Sequence, residues 1–193
     1  MAQNSAPSGP QNASTPGPRT ARLAEAVTEI ERHVAAAGWD APVRVFALVG
    51  TARALTVEPA LAAQLAPEVV AAARADPDHL TSVEQDGLPG ADDLEQLLTL
   101  LSWPDTIDGA AVVVERVVLP PAAEQAMPDD ADEALAYLMT HPDRQDVRLA
   151  VGVLRSGESW CAVRTRAADD EAAVAAGPDL VPGLVAAIAA TLV

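Results

Sequence analysis

The chain has 193 residues, half of them apolar but only 3% aromatic, with 12 arginines, no lysine and a net charge of -16 at pH 7. That charge excludes non-specific nucleic-acid binding, which draws its affinity from neutralised phosphates, and it excludes docking on anionic membrane lipid. The missing lysine excludes Schiff-base chemistry and the phosphate-binding lysine of a P-loop.

Residues 1–18 are rich in Pro, Ser, Asn, Gln and Gly and have no hydrophobic period, which predicts a disordered tail ahead of a single domain over 19–193. Leu23, Val27, Ile30 and Val34 recur at helical spacing, with Thr20 as the cap and Gly38 at the end. Val43 to Val49 reads as a short apolar strand. Pro59 and Pro67 each stand where a first helical turn begins, predicting two short alanine-rich helices from about 58 to 75. His79 to Gln85 reads as extended, and Asp92 opens a helix carrying Leu94, Leu97, Leu98 and Leu101 that Pro104 stops.

Gly109 to Leu119 is the strongest strand, because Val112, Val113, Val114, Val117 and Val118 fill both of its faces and call for cover on each side. Asp132 to Thr140 reads as a helix turning Leu135, Leu138 and Met139 inward. Val147 to Leu154 and Ser159 to Thr165 form a hairpin around a two-residue turn, Ser156-Gly157. That turn pairs Arg155 with Glu158, Val153 with Trp160 and Leu149 with Arg164, so Arg148 points away from Arg164 and Arg166. A slip of one residue would invert every face. The apolar run from Leu180 to Val193, broken by Pro182 and Gly183, is too short for a bilayer span and reads as a buried helix starting near Asp179. The fold class is α+β: a mostly antiparallel sheet built on 109–119 and the 147–166 hairpin, packed with helices. Trp39, Trp103 and Trp160 are the large pieces of an otherwise aliphatic core.

The lone Cys161 suits a reducing, cytoplasmic setting, and the start of the chain carries no apolar stretch of the kind a signal peptide needs. No Gly-x-Ser-x-Gly or glycine-rich phosphate loop occurs, and His33, His79 and His141 have no ligand-spaced partners, so no cofactor and no metal are expected. Trp103-Pro104-Asp105 followed by Cys161 and Arg166 resembles the order of groups in tyrosine phosphatases. Their signature needs five residues between Cys and Arg and a glycine-built loop; here four intervene and none is glycine. His141-Pro142-Asp143 resembles the loop of J-domain co-chaperones, yet no basic helix precedes it and a strand follows, so it reads as a turn.

Five of the twelve arginines, Arg144, Arg148, Arg155, Arg164 and Arg166, fall in the hairpin region. Glu115 interrupts the valines of the central strand and must be paired or wet, since an isolated buried charge is very costly. Its expected partner is a hairpin arginine. A catalytic role for Glu115 requires a raised pKa, and a neighbouring arginine lowers it. Arg148, Arg164 and Arg166, with Glu115, are the candidate contacts for an anionic ligand, because arginine's planar fork fits carboxylate and phosphate. Guanidiniums converging on an apolar-walled pocket free of protein carboxylates favour that ligand. Guanidiniums each matched by Glu115, Asp146 or another acid disfavour it.

Several segments together carry a resemblance: Gly38-Trp39-Asp40 before Arg44 to Val49; Leu80 to Gln85; Trp103-Pro104-Asp105 through Leu119 to Pro120-Pro121; His141 to Arg144 through Arg148 to Cys161 and Arg164; and Gly177 to Gly183. On these the chain resembles a family of uncharacterised actinomycete proteins with no assigned activity. The resemblance implies no catalytic residues. The leading expectation is a non-catalytic cytosolic binding or adaptor module. Its partner is another protein, or a second copy joined through a sheet edge or an apolar helix face, and involves neither nucleic acid nor membrane. The alternative is a binder of, or enzyme acting on, a small anionic ligand held by the hairpin arginines.

Overall fold

The computed structural model describes residues 16–91 and 93–193. Six strands, β1 (Arg44–Gly50), β2 (Leu80–Glu84), β3 (Gly109–Val118), β4 (Gln145–Leu154), β5 (Ser159–Thr165) and β6 (Ala175–Gly177), form one sheet in the order β2-β1-β3-β4-β5-β6. Every neighbouring pair is antiparallel. The described helices are α1 (Pro18–Ala35), α2 (Thr51–Val57), α3 (Pro67–Ala75), α4 (Leu94–Leu100), α5 (Pro121–Gln125), α6 (Ala131–Thr140) and α7 (Pro182–Ala190), with 3-10 turns at Pro59–Ala63 and Glu171–Ala173. The protein is therefore α+β, a mostly antiparallel sheet packed with helices.

The valine-rich strand β3 lies inside the sheet, between β1 and β4, as its two apolar faces require. On one face, α1 lays Leu23, Val27, Ile30 and Val34 onto Phe46, Leu48, Ala111, Val113, Ala150, Leu154 and Ala162. Each fully buried aliphatic side chain of that stripe contributes about 1.5–3 kcal/mol relative to exposure. Gly17 caps α1 three residues before the expected Thr20, and Pro18 opens the first turn, because proline's fixed φ and missing N–H suit that position. Gly38, at φ 86°, turns the chain out of the helix, a conformation that L side chains resist. The tail expected over 1–18 lies outside the described residues as far as 15.

On the other face, α4, α7 and the turn after α7 cover Val45, Val112, Val114, Leu149, Val151 and Cys161 with Leu94, Leu97, Leu98, Ile188 and Leu192. Asp92, where this helix is expected to open, lies outside the described residues. Asp93 is the observed cap, its carboxylate accepting from the Gln96 N–H at 2.7 Å. The last helix starts at Pro182 rather than near Asp179, and it lies half-buried on the sheet. The three tryptophans are each half-buried and sit at the rims of the core rather than inside it.

Two further expectations are overturned. First, the hairpin register is shifted by one residue: Arg148 faces Arg164, Ala150 faces Ala162 and Gly152 faces Trp160. The loop has three residues, Arg155-Ser156-Gly157. Leu154 N–H bonds the Glu158 carbonyl, Gly157 N–H bonds the Leu154 carbonyl, and Gly157 takes φ 101°. A type I turn followed by a left-handed glycine is the standard three-residue alternative to the two-residue turn, and Ser-Gly suits both. Second, α6 does not turn Leu135 and Met139 inward; they are 58% and 50% exposed. No residue of α6 is fully buried, so this helix lies on the outside of the fold.

A close approach fixes α1 on the sheet. A Cβ at Gly152 would sit 2.5 Å from Val27 Cγ2 and 3.1 Å from Leu23 Cδ1. Gly152→Ala is therefore expected to lose about 1–3 kcal/mol by overpacking, read as a lower urea midpoint with an unchanged slope.

Candidate functional site

The register brings Glu115 on β3, Arg148 on β4 and Arg164 on β5 into one row across the sheet, under the C-terminal end of α1. Like charges facing each other across a strand pair repel. Arg148 and Arg164 tolerate the position because each has its own carboxylate. Glu115 Oε1 accepts from Arg148 Nη2 at 2.9 Å and Nε at 3.3 Å, and Arg148 also donates to the Gly38 carbonyl. Arg164 makes a two-point fork with Glu31 of α1, at 2.6 and 2.8 Å, and reaches Asp169 at 3.3 Å. Hydrogen bonding to Glu31 raises the Arg164 guanidinium above its ordinary range.

Trp39, in the loop after α1, closes the row. Its ring lies 4.3 Å from the Arg148 guanidinium and 5.0 Å from that of Arg166, and its indole N–H bonds Asp169 at 2.9 Å. Arg148 Nη1 is buried without a hydrogen-bond partner, and cation–π contact with the indole face takes the place of one. Arg166 leaves the row for the surface, where it pairs with Asp40 at 2.5 Å and Asp146 at 3.8 Å. The Asp40 amide in turn donates to Glu115 at 2.7 Å.

All four expected site residues thus meet in one place, together with partners the sequence did not point out. Glu115 holds Arg148, the arginine expected to face the other way. Arg155 does not pair with Glu158. It donates to the carbonyls of Trp103, Pro104, Ile107 and Leu192, tying the hairpin loop to the 103–107 segment. Around Arg148, Arg164 and Arg166 stand five carboxylates, those of Glu31, Asp40, Glu115, Asp146 and Asp169, so the cluster as a whole is acidic. Glu31 was legible: it falls four residues after Val27 and three before Val34, on the stripe that α1 buries. Asp169 sits in a connecting segment with no periodicity and gave no signal.

Cys161 is fully buried on the opposite face, and burial pushes its thiol upward, away from the reactive thiolate. Among the described residues, no group of three or more His, Cys, Asp and Glu is placed to hold a metal ion. None of the described helices is long and apolar enough to cross a membrane.

A second feature lies on the α4–α7 face, over β2 and the Ala47–Val49 part of β1. Ala47, Val49 and Val83, on one face of β1 and β2, line a groove of about 360 Å³ together with Leu88, Leu101, Trp103 and Ile107. Val83 is 46% exposed in it. The 103–107 part of that lining is the segment that Arg155 fixes through its carbonyls, so a hairpin arginine shapes a site it does not line.

The fold and its two features define an α+β protein with a charge-sealed sheet face and a partly bare one. The sequence model of the PPA1309-like protein family matches residues 23–193, and the chain belongs to that family. No curated protein matches the chain, and no solved structure does.

Breaking the buried fork tests the row. Glu31→Gln is expected to cost about 3–5 kcal/mol in urea unfolding, while Glu31→Leu combined with Arg164→Met recovers most of it, because no buried charge is then left unpaired and the half-exposed Asp169 keeps its contact with water. Acid tests the rim. Hydrogen bonding from Trp39, and then from Arg164, holds the Asp169 carboxyl below its ordinary 3.8, and hydrogen bonding from Arg44 likewise lowers Glu84. A carboxyl held low stabilises the fold fully above its unfolded value and loses that effect as pH falls through its folded value. Stability is expected to fall below about pH 4, and Asp169→Asn to flatten part of that acid limb in pH-dependent unfolding.

Proposed function

We propose that residues 19–193 work as one non-catalytic binding or adaptor module of the cytosol, and that the groove over β1 and β2 is where it takes its partner. The observation that carries this reading is an apolar-floored concavity on an otherwise strongly charged chain. Such concavities, lined by aliphatic and aromatic side chains with a few polar groups, are the usual form of a binding site. Val49, Val83, Leu101, Trp103 and Ile107 supply the apolar lining, and Gln85, Asp86 and Ser102 the polar groups. The lone cysteine agrees with a reducing compartment.

The alternative, an anionic ligand held by Arg148, Arg164 and Arg166 beside Glu115, has the ion pairs against it. Each of these guanidiniums is engaged by at least one protein carboxylate, and Arg148 is fully buried under Trp39. An incoming anion would have to displace those carboxylates and enter a cluster in which acids outnumber bases.

The test is a panel of labelled peptides with apolar anchors, screened by fluorescence polarisation against the wild type and Val83→Asp. A half-exposed position tolerates substitution within about 0.5 kcal/mol, so the variant keeps its melting curve. Binding is expected to weaken by about tenfold or more as the charge enters the groove. Equal binding by both proteins would remove the groove from the reading. Phosphate and citrate at ~1 mM are expected to leave the melting temperature unchanged; a rise abolished by Arg166→Gln would reinstate the anionic alternative.

A further inference from the structure

We infer that the outer edge of β2 takes an extended, basic peptide segment as a further strand of the sheet, and that the segment's alternate apolar side chains enter the adjoining groove. This rests on the groove being a binding site and adds the mode and the chemistry of the partner.

The mode follows from which backbone groups are already used. Among the described residues β2 has one neighbour, β1, and ends the sheet. Its register pairs Ala47 with Val83 and Val49 with Thr81. Just beyond the two ends of β2, Gln85 N–H bonds the Val45 carbonyl at 2.9 Å and Thr51 N–H bonds the His79 carbonyl at 3.0 Å. In an antiparallel pair the bonded positions alternate. The odd-numbered residues 79, 81, 83 and 85 therefore turn their N–H and C=O toward β1, and Leu80, Ser82 and Glu84 turn theirs outward. Among the described residues, no backbone group bonds to that outward set. An open edge of this kind is a template for another strand, and strand addition joins backbone affinity to side-chain pockets at alternate positions. Thr81 and Val83 share their face with Ala47 and Val49, so every second side chain of an added strand falls beside Val83, over the groove floor.

The partner's charge follows from the surroundings. No basic residue lines the groove. Asp86 lines it and is exposed, and Asp105, next to the Trp103-Pro104 wall, is exposed as well. The whole chain carries -16. A second copy is the wrong occupant. Antiparallel self-pairing centred on Ser82 would run the Asp78 end of one copy against the Asp86 end of the other, twice, between two molecules of high like charge. A strand alternating arginine with valine places valine over the floor and arginine on the opposite face, where its positive charge is drawn to a chain that carries -16 overall.

The experiment uses three synthetic heptapeptides on the full chain: alternating Arg and Val, alternating Glu and Val, and the Arg-Val peptide N-methylated at every second backbone nitrogen on the edge-facing side. Isothermal titration is expected to show binding of the first peptide that weakens with added salt, no binding of the second, and a loss of about tenfold or more for the third. Ser82→Pro, which removes one outward N–H at an edge where proline is tolerated, is expected to weaken the first peptide to a similar degree. Hydrogen exchange at the Ser82 and Glu84 amides is expected to slow on binding.

Three outcomes overturn the inference. If the N-methylated peptide binds as well as its parent and Val83→Asp weakens both, the groove binds side chains without strand addition, and the binding module stands while this mode fails. If the Glu-Val peptide binds as well as the Arg-Val peptide, the assigned charge is wrong. If the Arg-Val peptide does not bind while other apolar-anchored peptides of the panel do, the inference fails alone; if no peptide of any charge binds, the groove reading fails with it.

Discussion

Two arginines face each other across the hairpin, and the arrangement of this protein around them follows from keeping both charged and buried. Neither guanidinium can be solvated where it lies, since Arg148 is fully buried and Arg164 is 5% exposed. Each needs carboxylates from outside its own hairpin, and these come from β3 (Glu115) and α1 (Glu31). The end of α1 must therefore stand over β5, and the chain leaving it must double back so that the Gly38 carbonyl and Trp39 reach Arg148. The row also distinguishes between hairpin registers that the loop sequence alone leaves open. With a two-residue turn, Arg164 would move to the aliphatic face with its charge unpaired. Buried ion pairs often add little net stability over apolar replacements, and their specific use here is to choose a register.

The two faces of the sheet divide the work. One is closed by α1 and by the charged row, and its arginines are occupied by the protein's own acids. The other is closed by α4 and α7 over β3, β4, β5 and the Val45 end of β1, and it is left concave over the rest of β1 and over β2. Arg155 links the two halves of the design. It spends its guanidinium on four backbone carbonyls, where no charge opposes it, and so gives a fixed shape to a loop that would otherwise be irregular. A rigid wall beside a bare strand edge lowers the ordering cost that a bound segment must overcome.

Much of this architecture was legible in the residues. The valines of 112–118 announced a strand covered on both faces, and the Leu23-Val27-Ile30-Val34 stripe announced the helix that covers one of them. What escaped were features without period. Ser-Gly serves a two-residue and a three-residue loop equally, so the hairpin faces were assigned the wrong way round. That single slip separated Arg148 from Arg164 and sent Arg155 to Glu158. Leu135, Leu138 and Met139 follow helical spacing, but spacing says nothing about whether a second surface exists for α6 to cover. The groove escaped for a similar reason: it is made by the place where α4 and α7 stop, and its residues are scattered between Ala47 and Ile107.

Because every basic group in the row is an arginine, the charged row is vulnerable from one side only. Alkali finds nothing to neutralise in the row, since a guanidinium keeps its proton beyond about pH 12. A lysine in the same places would surrender its charge near pH 10 and leave Glu31 and Glu115 buried with no counterion. The choice of arginine thus gives the sheet an alkaline tolerance that its acid side lacks, and leaves it without a side-chain amine for amine-directed reagents or for the enzymes that modify lysine.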